Sequence, residues 1–216
     1  MKISIAQYEF FKLVAQWPPA ACLSFGRCSA LRKPQNFTLH GLWPSNTSTT
    51  VTQPRACFNN IHFTGAMVQT LFPRINISWP DLRLAQEERF WGAQWDNHGT
   101  CSQNNFNLLS YFKLALDIKD QVDILKAFGN KNIHPHPTNL YNKAAFEFAI
   151  KAITKKDPEL RCIISRKVVY LFEVGLCLDP TGKNFMDCPT SNNVRVTNCK
   201  SNINQTIGLT IGLLPL

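Results

Sequence analysis

The sequence predicts an α+β fold in a single domain, and three observations support this prediction. At 216 residues the chain has a length that one hydrophobic core can serve. Hydrophobic residues make up 44% of the chain and charged residues only 17%, which excludes a disordered chain. Segments with strand patterns and segments with helix patterns do not alternate strictly, and this favours α+β over a doubly wound α/β fold.

Four segments have the branched and aromatic composition that is typical of strands. They are residues 8–17, 36–40, 167–179 and 184–188. Pro18 and Pro19 are expected to stop the first strand, and Gly41 the second. The third segment is apolar and β-branched along its length, which predicts a central strand. The fourth segment is expected to fold back on it across a turn at 180–183.

Three helices are predicted from apolar residues that recur at spacings of three and four. They are residues 84–97, 105–128 and 140–155. Gly129 is a candidate C-cap for the second helix. One face of the third helix carries Phe146, Ala149, Ile150 and Ile153. The region 45–60 is rich in Ser, Thr, Asn and Pro, which predicts a surface loop.

The two ends of the chain differ in composition from the predicted domain, residues 8–206. Residues 1–7 lack the apolar run of a signal peptide, so we interpret them as a leader remnant or a disordered N-terminus. Residues 207–216 form an apolar tail, interpreted as a final strand or a frayed end. Its length is about half of what a membrane-spanning helix needs, so we expect no membrane span.

The cysteines and sequons indicate an oxidising compartment. The eight cysteines include no Cys-x-x-Cys pair and no zinc-type Cys/His spacing, which favours disulfides over a metal site. Four Asn-x-Ser/Thr sequons, candidate glycosylation sites, begin at Asn36, Asn46, Asn76 and Asn204. We therefore expect a secreted, extracellular protein.

The net charge of +9 is spread along the chain and is attractive to polyanions. RNA, acidic glycans and anionic membranes all fit this charge. The alternative is a basic secreted protein whose charge only keeps it soluble.

Two segments, residues 37–44 and 90–101, each place one histidine beside glycine and near tryptophan. The histidines are His40 and His98. Because the unperturbed pKa of histidine is about 6.5, one imidazole can accept a proton while another donates one near neutral pH. The alternative is that each histidine only caps an element or fills the core. His62, His134 and His136 are expected to be loop residues without a role.

A pair of imidazoles suffices to cleave RNA. One can remove the proton from the 2′-hydroxyl, which then attacks its own phosphorus, while the other protonates the departing 5′-oxygen. The product is a 2′,3′-cyclic phosphate. No metal or cofactor is required, since the nucleophile belongs to the substrate, and DNA lacks this hydroxyl.

Both segments resemble the active-site segments of the ribonuclease T2 family in length, order and separation. The similarity spans nearly the whole chain and is strongest to the plant S-RNases. Further segments that carry it are residues 8–22, 111–116, 172–177 and 187–189, and the sequon at Asn36. The resemblance implies a central, mostly antiparallel sheet flanked by helices and stapled by disulfides. It also implies a monomeric endoribonuclease that acts on RNA without a cofactor.

The resemblance assigns roles to individual residues. His98 becomes the general base on the 2′-hydroxyl and His40 the general acid on the 5′-oxygen, with Trp43 supporting the first segment. The implied base-pocket residues are Gln16, Leu82, Arg83 and Phe90. For Phe90 and Trp91, ordinary helix core is an equally good interpretation. The implied disulfides are Cys22–Cys28, Cys57–Cys101, Cys162–Cys199 and Cys177–Cys188.

The chain departs from the family pattern at two positions. Family members usually have Glu at the position of Gln94 and Lys at that of Asn97, where they contact the phosphate and the transition state. Both replacements remove a charge. Loss of one such preorganised group typically lowers a rate by about 10²- to 10³-fold, so we expect a weakened ribonuclease that keeps its histidine pair.

Three functions remain open from the sequence. The first is an endoribonuclease, with a role as pistil determinant of gametophytic self-incompatibility, where family members meet pollen F-box proteins. The second is an RNA-binding or recognition protein of little or no activity on the same scaffold. The third is a basic storage or defence protein.

Overall fold

Seven strands and six helices form the described part of the computed structural model, which is residues 8–26, 28, 34–47, 53–189, 199 and 206–210. The strands are β1 (Phe10–Gln16), β2 (Thr38–Ser45), β3 (Leu140–Asn142), β4 (Glu159–Ser165), β5 (Val168–Leu178), β6 (Phe185–Met186) and β7 (Thr206–Gly208). The helices are α1 (Pro18–Phe25), α2 (Phe72–Ser78), α3 (Glu87–Asn97), α4 (Leu108–Gln121), α5 (Ile124–Gly129) and α6 (Lys143–Thr154). Short 3₁₀ segments lie at Gly65–Leu71 and Gly99–Ser102. The α+β prediction is confirmed.

The strands form one sheet in which β5 is central. The order along the sheet is β2-β1-β5-β7-β3, and β4 and β6 also pair with β5. The pairings between described residues are antiparallel except for β5 with β7, which meet in parallel at Tyr170 and Gly208. The predicted central strand and its short partner at 184–188 are therefore confirmed. Within the C-terminal stretch, β7 fits the strand interpretation, and residues 211–216 lie outside the described part.

Aromatic side chains dominate the core and also hold β2 in place. Four tryptophans, at positions 17, 79, 91 and 95, are almost completely buried. The hydroxyl of Tyr111 donates to the backbone oxygen of Leu42 at 2.5 Å, and Nε1 of Trp79 donates to the backbone oxygen of His40 at 3.0 Å. Buried aromatic rings with one polar atom need such partners, and here the partner is the strand that carries His40.

All four disulfides that the resemblance implies are present. They are Cys22–Cys28, Cys57–Cys101, Cys162–Cys199 and Cys177–Cys188. No helix among the described residues is both long and apolar enough to cross a membrane.

Of the two predicted strand ends, the first is confirmed and the second is wrong. Strand β1 ends at Gln16, just before Pro18 and Pro19. These prolines start helix α1, which was not predicted, because proline lacks the N–H that the first helical turn leaves unpaired anyway. Strand β2 does not end at Gly41 but continues to Ser45, paired with β1 along its length. Strand β4 and helix α2 were also not predicted.

The predicted helix boundaries also change, mainly at residues whose side chains bond the backbone. Helix α3 begins at Glu87 rather than at residue 84. The predicted helix 105–128 is divided by extended Val122, after which the Asp123 carboxylate accepts the backbone N–H of Lys126 and caps α5. Residue Gly129 is the last residue of α5 and does not cap it. Residues 140–142 form β3, and Ile153 is 44% exposed, unlike the rest of its predicted face.

Candidate active site

His40 lies at a β-bulge on β2. The pairing with β1 matches Gly41 with Val14 and Leu39 with Ala15, so His40 is the extra residue between two regular pairs. A bulge interrupts the alternation of side chains and re-aims one of them, as is common next to active sites. The bulge therefore explains how a histidine on a strand of the core sheet reaches the solvent-facing cleft.

A buried carboxylate fixes the orientation of His40. Glu173 on β5 is completely buried, and its Oε1 lies 2.6 Å from Nδ1 of His40. Arg161, directly opposite Glu173 on β4, places Nη1 2.7 Å from Oε2. This second contact is an ion pair without the alignment of a hydrogen bond. Because an ionised carboxylate only accepts, Nδ1 of His40 carries the hydrogen and Nε2 is left for a substrate.

Unlike His40, which lies on a strand, His98 lies at the C-terminus of a helix, α3. Its backbone N–H donates to the oxygen of Gln94 at 3.0 Å, which closes the last turn of the helix. Its Nδ1 is buried and has no hydrogen-bond partner among the described residues. A Cβ on the next residue, Gly99, would collide with the ring of Trp95, so this close turn requires glycine.

Trp43 contacts both histidines. Its ring stacks on His98, with centroids 5.2 Å apart and planes 27° apart, and meets His40 edge-on at 5.2 Å. The indole Nε1 donates to Oε1 of Gln94 at 3.3 Å. A Cβ on Gly41 would collide with both Trp43 and Gln94. Each histidine is therefore followed by a glycine because a tryptophan ring packs against the backbone at that position.

The environment of His98 keeps this imidazole neutral. Burial lowers its pKa from the usual 6.5 to about 4, and the charges of His40 and Arg55 act in the same direction. Desolvation and nearby cations both disfavour an imidazolium. At weakly acidic and neutral pH, His98 is therefore unprotonated and able to accept a proton.

Arg55 reaches the end of α3 from the loop that follows β2. Its Nε donates to Oδ1 of Asn97 at 3.1 Å, and Nδ2 of Asn97 donates to the oxygen of Ala93 at 2.8 Å. The backbone N–H of Ala56 donates to the oxygen of Asn97 at 3.0 Å. A positively charged side chain is thus attached to the residue that precedes His98.

A cleft of about 310 Å³ opens beside His40. The lining includes His40 and the four residues of the predicted base pocket, which are Gln16, Leu82, Arg83 and Phe90. The Phe90 ring lies nearly parallel to that of His40, with centroids 6.4 Å apart. The side chain of Gln16 is buried, and its Oε1 has no hydrogen-bond partner among the described residues. An aromatic face and an amide at one cleft are groups suited to a flat heterocycle.

Residues 81–86 form a compact loop at the rim of this cleft. The carboxylate of Asp81 accepts backbone N–H groups of Arg83, Leu84 and Gln86, at 2.9 to 3.2 Å. Residue Ala85 adopts a φ of +54°, in the left-handed region that most side chains avoid. These bonds remove the segment from the helical pattern, which is why α3 starts later than predicted and why Leu82 and Arg83 line the cleft.

The sequence model of the Ribonuclease T2 family matches residues 8–188. The chain belongs to the ribonuclease T2 family. Ribonuclease S-7 of Nicotiana alata is 35% identical over 187 residues, which cover 84% of this chain and 82% of that protein. Ribonuclease MC of Momordica charantia is 36% identical over 192 residues, covering 84% of this chain and 94% of that protein.

A solved structure agrees with this membership. The crystal structure of the gametophytic self-incompatibility associated SF11-RNase of Nicotiana alata superposes with a TM-score of 0.76 at 27% identity. The superposition covers 94% of this chain and 100% of that one. The chain is accordingly an enzyme of the ribonuclease T2 type.

The arrangement of this T2 ribonuclease brings most of the predicted site residues together, in two groups. Those around the cleft are His40, Gln16, Leu82, Arg83 and Phe90; those around the second imidazole are His98, Trp43, Asn97 and Gln94. Of these, Gln94 differs from the expectation in position, because its side chain is buried behind Trp43 instead of lining the cleft. Trp91 is core, 1% exposed, whereas Phe90 lines the cleft.

Sequence reasoning missed four side chains of this site. Glu173, Arg161, Asp81 and Arg55 are far from the histidines along the chain or lie in a segment predicted as plain loop. One signal was present for Glu173, an acidic residue within an otherwise apolar predicted strand, since a buried charge needs a partner.

Of the predicted glycosylation sites, Asn36 and Asn76 are exposed and Asn46 is partly buried, while Asn204 lies outside the described residues. Glycosylation of each stays a prediction. Among described residues, no group of three or more His, Cys, Asp or Glu side chains could hold a metal. His136 instead accepts backbone N–H groups of Thr138 and Asn139 and shapes a turn.

Proposed function

We propose that this T2 ribonuclease cleaves single-stranded RNA through a 2′,3′-cyclic phosphate, with His98 as general base and His40 as general acid. The observation that carries the proposal is the contrast between the two imidazoles that contact Trp43. His98 is neutral because burial lowers its pKa to about 4. His40 is bound through Nδ1 to a buried carboxylate, which leaves Nε2 to hold the proton that is donated.

In the first step His98 takes the proton of the 2′-hydroxyl, and the freed oxygen forms a bond to phosphorus. The bond from phosphorus to the 5′-oxygen breaks, and His40 delivers its proton to that oxygen. In the second step the roles reverse: His40 deprotonates a water whose oxygen forms a bond to phosphorus, the bond from phosphorus to the 2′-oxygen breaks, and His98 returns its proton to that oxygen. Proton transfer of this kind by positioned side chains contributes about 10²- to 10⁴-fold to a rate.

The cleft beside His40 is the proposed site for a base of the RNA. Phe90 offers a stacking face, and the buried amide of Gln16 offers polar atoms for the edge of the base. Stacking of a base on an aromatic ring contributes about 1–3 kcal/mol and tolerates any base. Leu82 and Arg83 would complete the pocket from the loop that Asp81 organises.

Glu173 is proposed as a positioning residue for His40. The carboxylate fixes the ring and its tautomer, and Arg161 pairs with its other oxygen. A buried acid that orients a histidine without reacting is a recurrent arrangement in hydrolytic enzymes. Since Glu173 does not touch substrate, its role is distinct from that of the two histidines.

We further propose that Gln94 and Asn97 attenuate the reaction. Both side chains are neutral, and they lie next to Trp43 and His98, where the transition state accumulates negative charge. Introducing Gln94→Glu and Asn97→Lys together should therefore raise the rate of RNA cleavage.

The decisive experiment uses the disulfide-intact protein and yeast RNA at weakly acidic to neutral pH, with a chelator present. Formation of 2′,3′-cyclic products is expected, and the His40→Ala variant should lower its rate by about 10²- to 10⁴-fold, whereas cleavage by a contaminating nuclease would be unchanged. Intact RNA after incubation with a folded protein would contradict the proposal. No gain from Gln94→Glu with Asn97→Lys would contradict the attenuation alone.

A second candidate function is RNA recognition with little or no cleavage, and the neutral Gln94 and Asn97 are the observation that favours it. The same experiment separates the two functions. Binding of RNA that saturates in a mobility-shift assay, without cyclic products, would favour recognition over catalysis.

For the biological role we propose a secreted ribonuclease that serves as pistil determinant of self-incompatibility and meets pollen F-box proteins. Four disulfides support secretion. The relative SF11-RNase is described as gametophytic self-incompatibility associated. Pistil-restricted expression, with many divergent alleles in one population, is the expected observation; uniform expression of one invariant allele would contradict the role.

A further inference from the structure

Arg55 contacts the C-terminal end of α3, the helix whose Phe90 and Ala93 line the cleft. Phe90 and Ala93 both line the cleft with His40, and Asn97 follows on the same face, at a spacing of three to four residues. Asn97 turns its side chain back toward Ala93, where Nδ2 donates to the backbone oxygen, and Arg55 bonds to the outward Oδ1 at 3.1 Å. The guanidinium is therefore located at the end of α3 that leads into His98.

The loop that carries Arg55 is fastened on both sides of His98. Before His98, the N–H of Ala56 donates to the backbone oxygen of Asn97. After His98, the disulfide Cys57–Cys101 joins the same loop to the 3₁₀ segment, with Cα atoms 4.9 Å apart. These two attachments, at the adjacent residues Ala56 and Cys57, fix the backbone next to Arg55 and so limit where its exposed side chain can reach.

The guanidinium of Arg55 has N–H groups that are available to a ligand. Only its Nε is engaged by Asn97, and no acidic side chain pairs with Arg55 within the described ranges. A guanidinium presents further N–H groups in a planar fork that matches two phosphate oxygens. The arginines that line the cleft, Arg83 and Arg89, do so together with Gln16 of the proposed base pocket.

We propose that Arg55 contacts the non-bridging oxygens of the scissile phosphate and supplies the cation that stabilises the phosphorane in both steps. This rests on the proposed function, because it assumes that the reacting phosphate lies between His40 and His98. A preorganised cation acts where charge develops and needs no reorganisation during the reaction. Asn97 acquires a role as well, since it holds Arg55 in place.

The lowered pKa of His98 also indicates that Arg55 lies near this imidazole. The positive charge of Arg55 contributes to the lowered pKa of His98, after burial and the charge of His40. A cation that acts on the imidazole of His98 is also close enough to act on a phosphate that this imidazole serves.

The first test compares Arg55→Gln with Arg74→Gln, a control that removes the same charge. Arg74 lies on α2 and pairs with Asp117 and Asp120 at the surface. With a short oligoribonucleotide, Arg55→Gln should lower kcat by about 10- to 100-fold with little change in KM, and Arg74→Gln should leave kcat unchanged. Arg55→Lys should fall between, because it keeps the charge but loses the fork. Hydrolysis of a 2′,3′-cyclic nucleotide should fall in parallel. Equal effects of the two Gln variants would overturn the proposal.

The second test measures binding of inorganic phosphate by calorimetry and needs no activity. Arg55→Gln should weaken binding at least about tenfold relative to wild type and to Arg74→Gln, and unchanged binding would overturn the proposal. If the wild type leaves RNA intact but the loss of phosphate binding is seen, the proposed function fails and the Arg55 contact stands. If RNA is cleaved and Arg55→Gln behaves as wild type in both tests, the Arg55 contact fails alone.

A third test uses the neighbouring position. Introducing Asn97→Lys should raise the rate more in the Arg55→Gln background than in the wild type, because the new cation replaces one that is missing. Strictly additive effects would mean that the two positions do not serve the same phosphate, which would overturn the proposal.

Discussion

The two histidines of the site have the same side chain but opposite surroundings. His40 sits on a strand of the central sheet, with a buried carboxylate 2.6 Å from Nδ1. His98 sits at the end of a helix, with a buried Nδ1 that has no partner in the described part of the chain and with Arg55 nearby. A negative neighbour suits an imidazole that must carry a proton, and burial beside a cation suits one that must accept it. The proposed difference in role thus follows from the surroundings of the two side chains.

The two surroundings are also built differently. The His40 side depends on pairing between strands β1, β2, β4 and β5, which come from distant parts of the chain. The His98 side depends on one helix end and on a loop fastened by the disulfide Cys57–Cys101. We therefore expect substitutions behind His40 to affect stability and rate together, and substitutions near Arg55 to affect mainly the rate.

Replacing either histidine should give the largest effect and test the assignment of roles. His40→Ala and His98→Ala are each expected to slow RNA cleavage by about 10²- to 10⁴-fold. A substrate with a 4-nitrophenyl leaving group on the phosphate should separate them, because 4-nitrophenolate departs without a proton. On that substrate His40→Ala should regain most of the wild-type rate, measured by absorbance, and His98→Ala should not.

Two results would break this assignment. Rescue of His98→Ala instead of His40→Ala would reverse the roles of base and acid. Rescue of neither variant would mean that His40 does more than protonate the leaving group, for example by binding the phosphate.

Glu173→Gln should give the next largest effect. The amide cannot fix the same tautomer of His40 as firmly, so kcat for RNA is expected to fall at least about tenfold, with a smaller change in KM. With the 4-nitrophenyl substrate the defect should largely disappear, because His40 is no longer needed as acid. A purely structural role of Glu173 would lower the rates on both substrates equally.

The same sheet offers a matched control for Glu173→Gln. Lys12 and Glu159 form another ion pair at 2.5 Å with both side chains about equally buried, and neither contacts a histidine. Glu159→Gln and Glu173→Gln should both lower the melting temperature, because each leaves a partly buried cation without its partner. Only Glu173→Gln should lower kcat. If both variants lost activity, the loss in Glu173→Gln would be explained by lower stability and not by a role in positioning His40.

Much of the sheet was predictable from local pattern, and the errors lie where side chains bond the backbone. The long apolar run that forms β5 and the aromatic and branched composition of β1 needed no tertiary information. Asp123 divides a continuous apolar stripe into α4 and α5, and Asp81 delays the start of α3. Such boundaries are set by a side-chain carboxylate that accepts backbone N–H groups. The spacing of apolar residues along the sequence does not reveal these hydrogen bonds.

The candidate site could be predicted only in part, because several of its contacts join residues that are far apart in the chain. Both histidines could be found from their glycine and tryptophan neighbours, because the close packing of Trp43 and Trp95 requires those glycines. The His40 bulge, by contrast, depends on the register with β1. Glu173 is 133 positions from His40 along the chain and Arg55 is 42 from Asn97. Such contacts are set by strand pairing and by a disulfide, and no local motif encodes them.

The smallest effect is expected in the pH profile, which tests the comparison at His98. Since its pKa is about 4, kcat/KM should stay high on acidification and fall with a single proton only near pH 4, where the base becomes protonated. Removing the charge of Arg55 removes one cause of the lowering, so in Arg55→Gln this acidic limb should move to higher pH, while in Arg74→Gln it should not. Because burial is the largest cause, the limb of Arg55→Gln should still lie below 6.5, the value of an unperturbed histidine.

An NMR titration of His98 in the free protein should give the same midpoints as the kinetics. A wild-type limb near 6.5 would mean that His98 is hydrated and unlike the buried base described above, and the contrast with His40 would then rest on Glu173 alone.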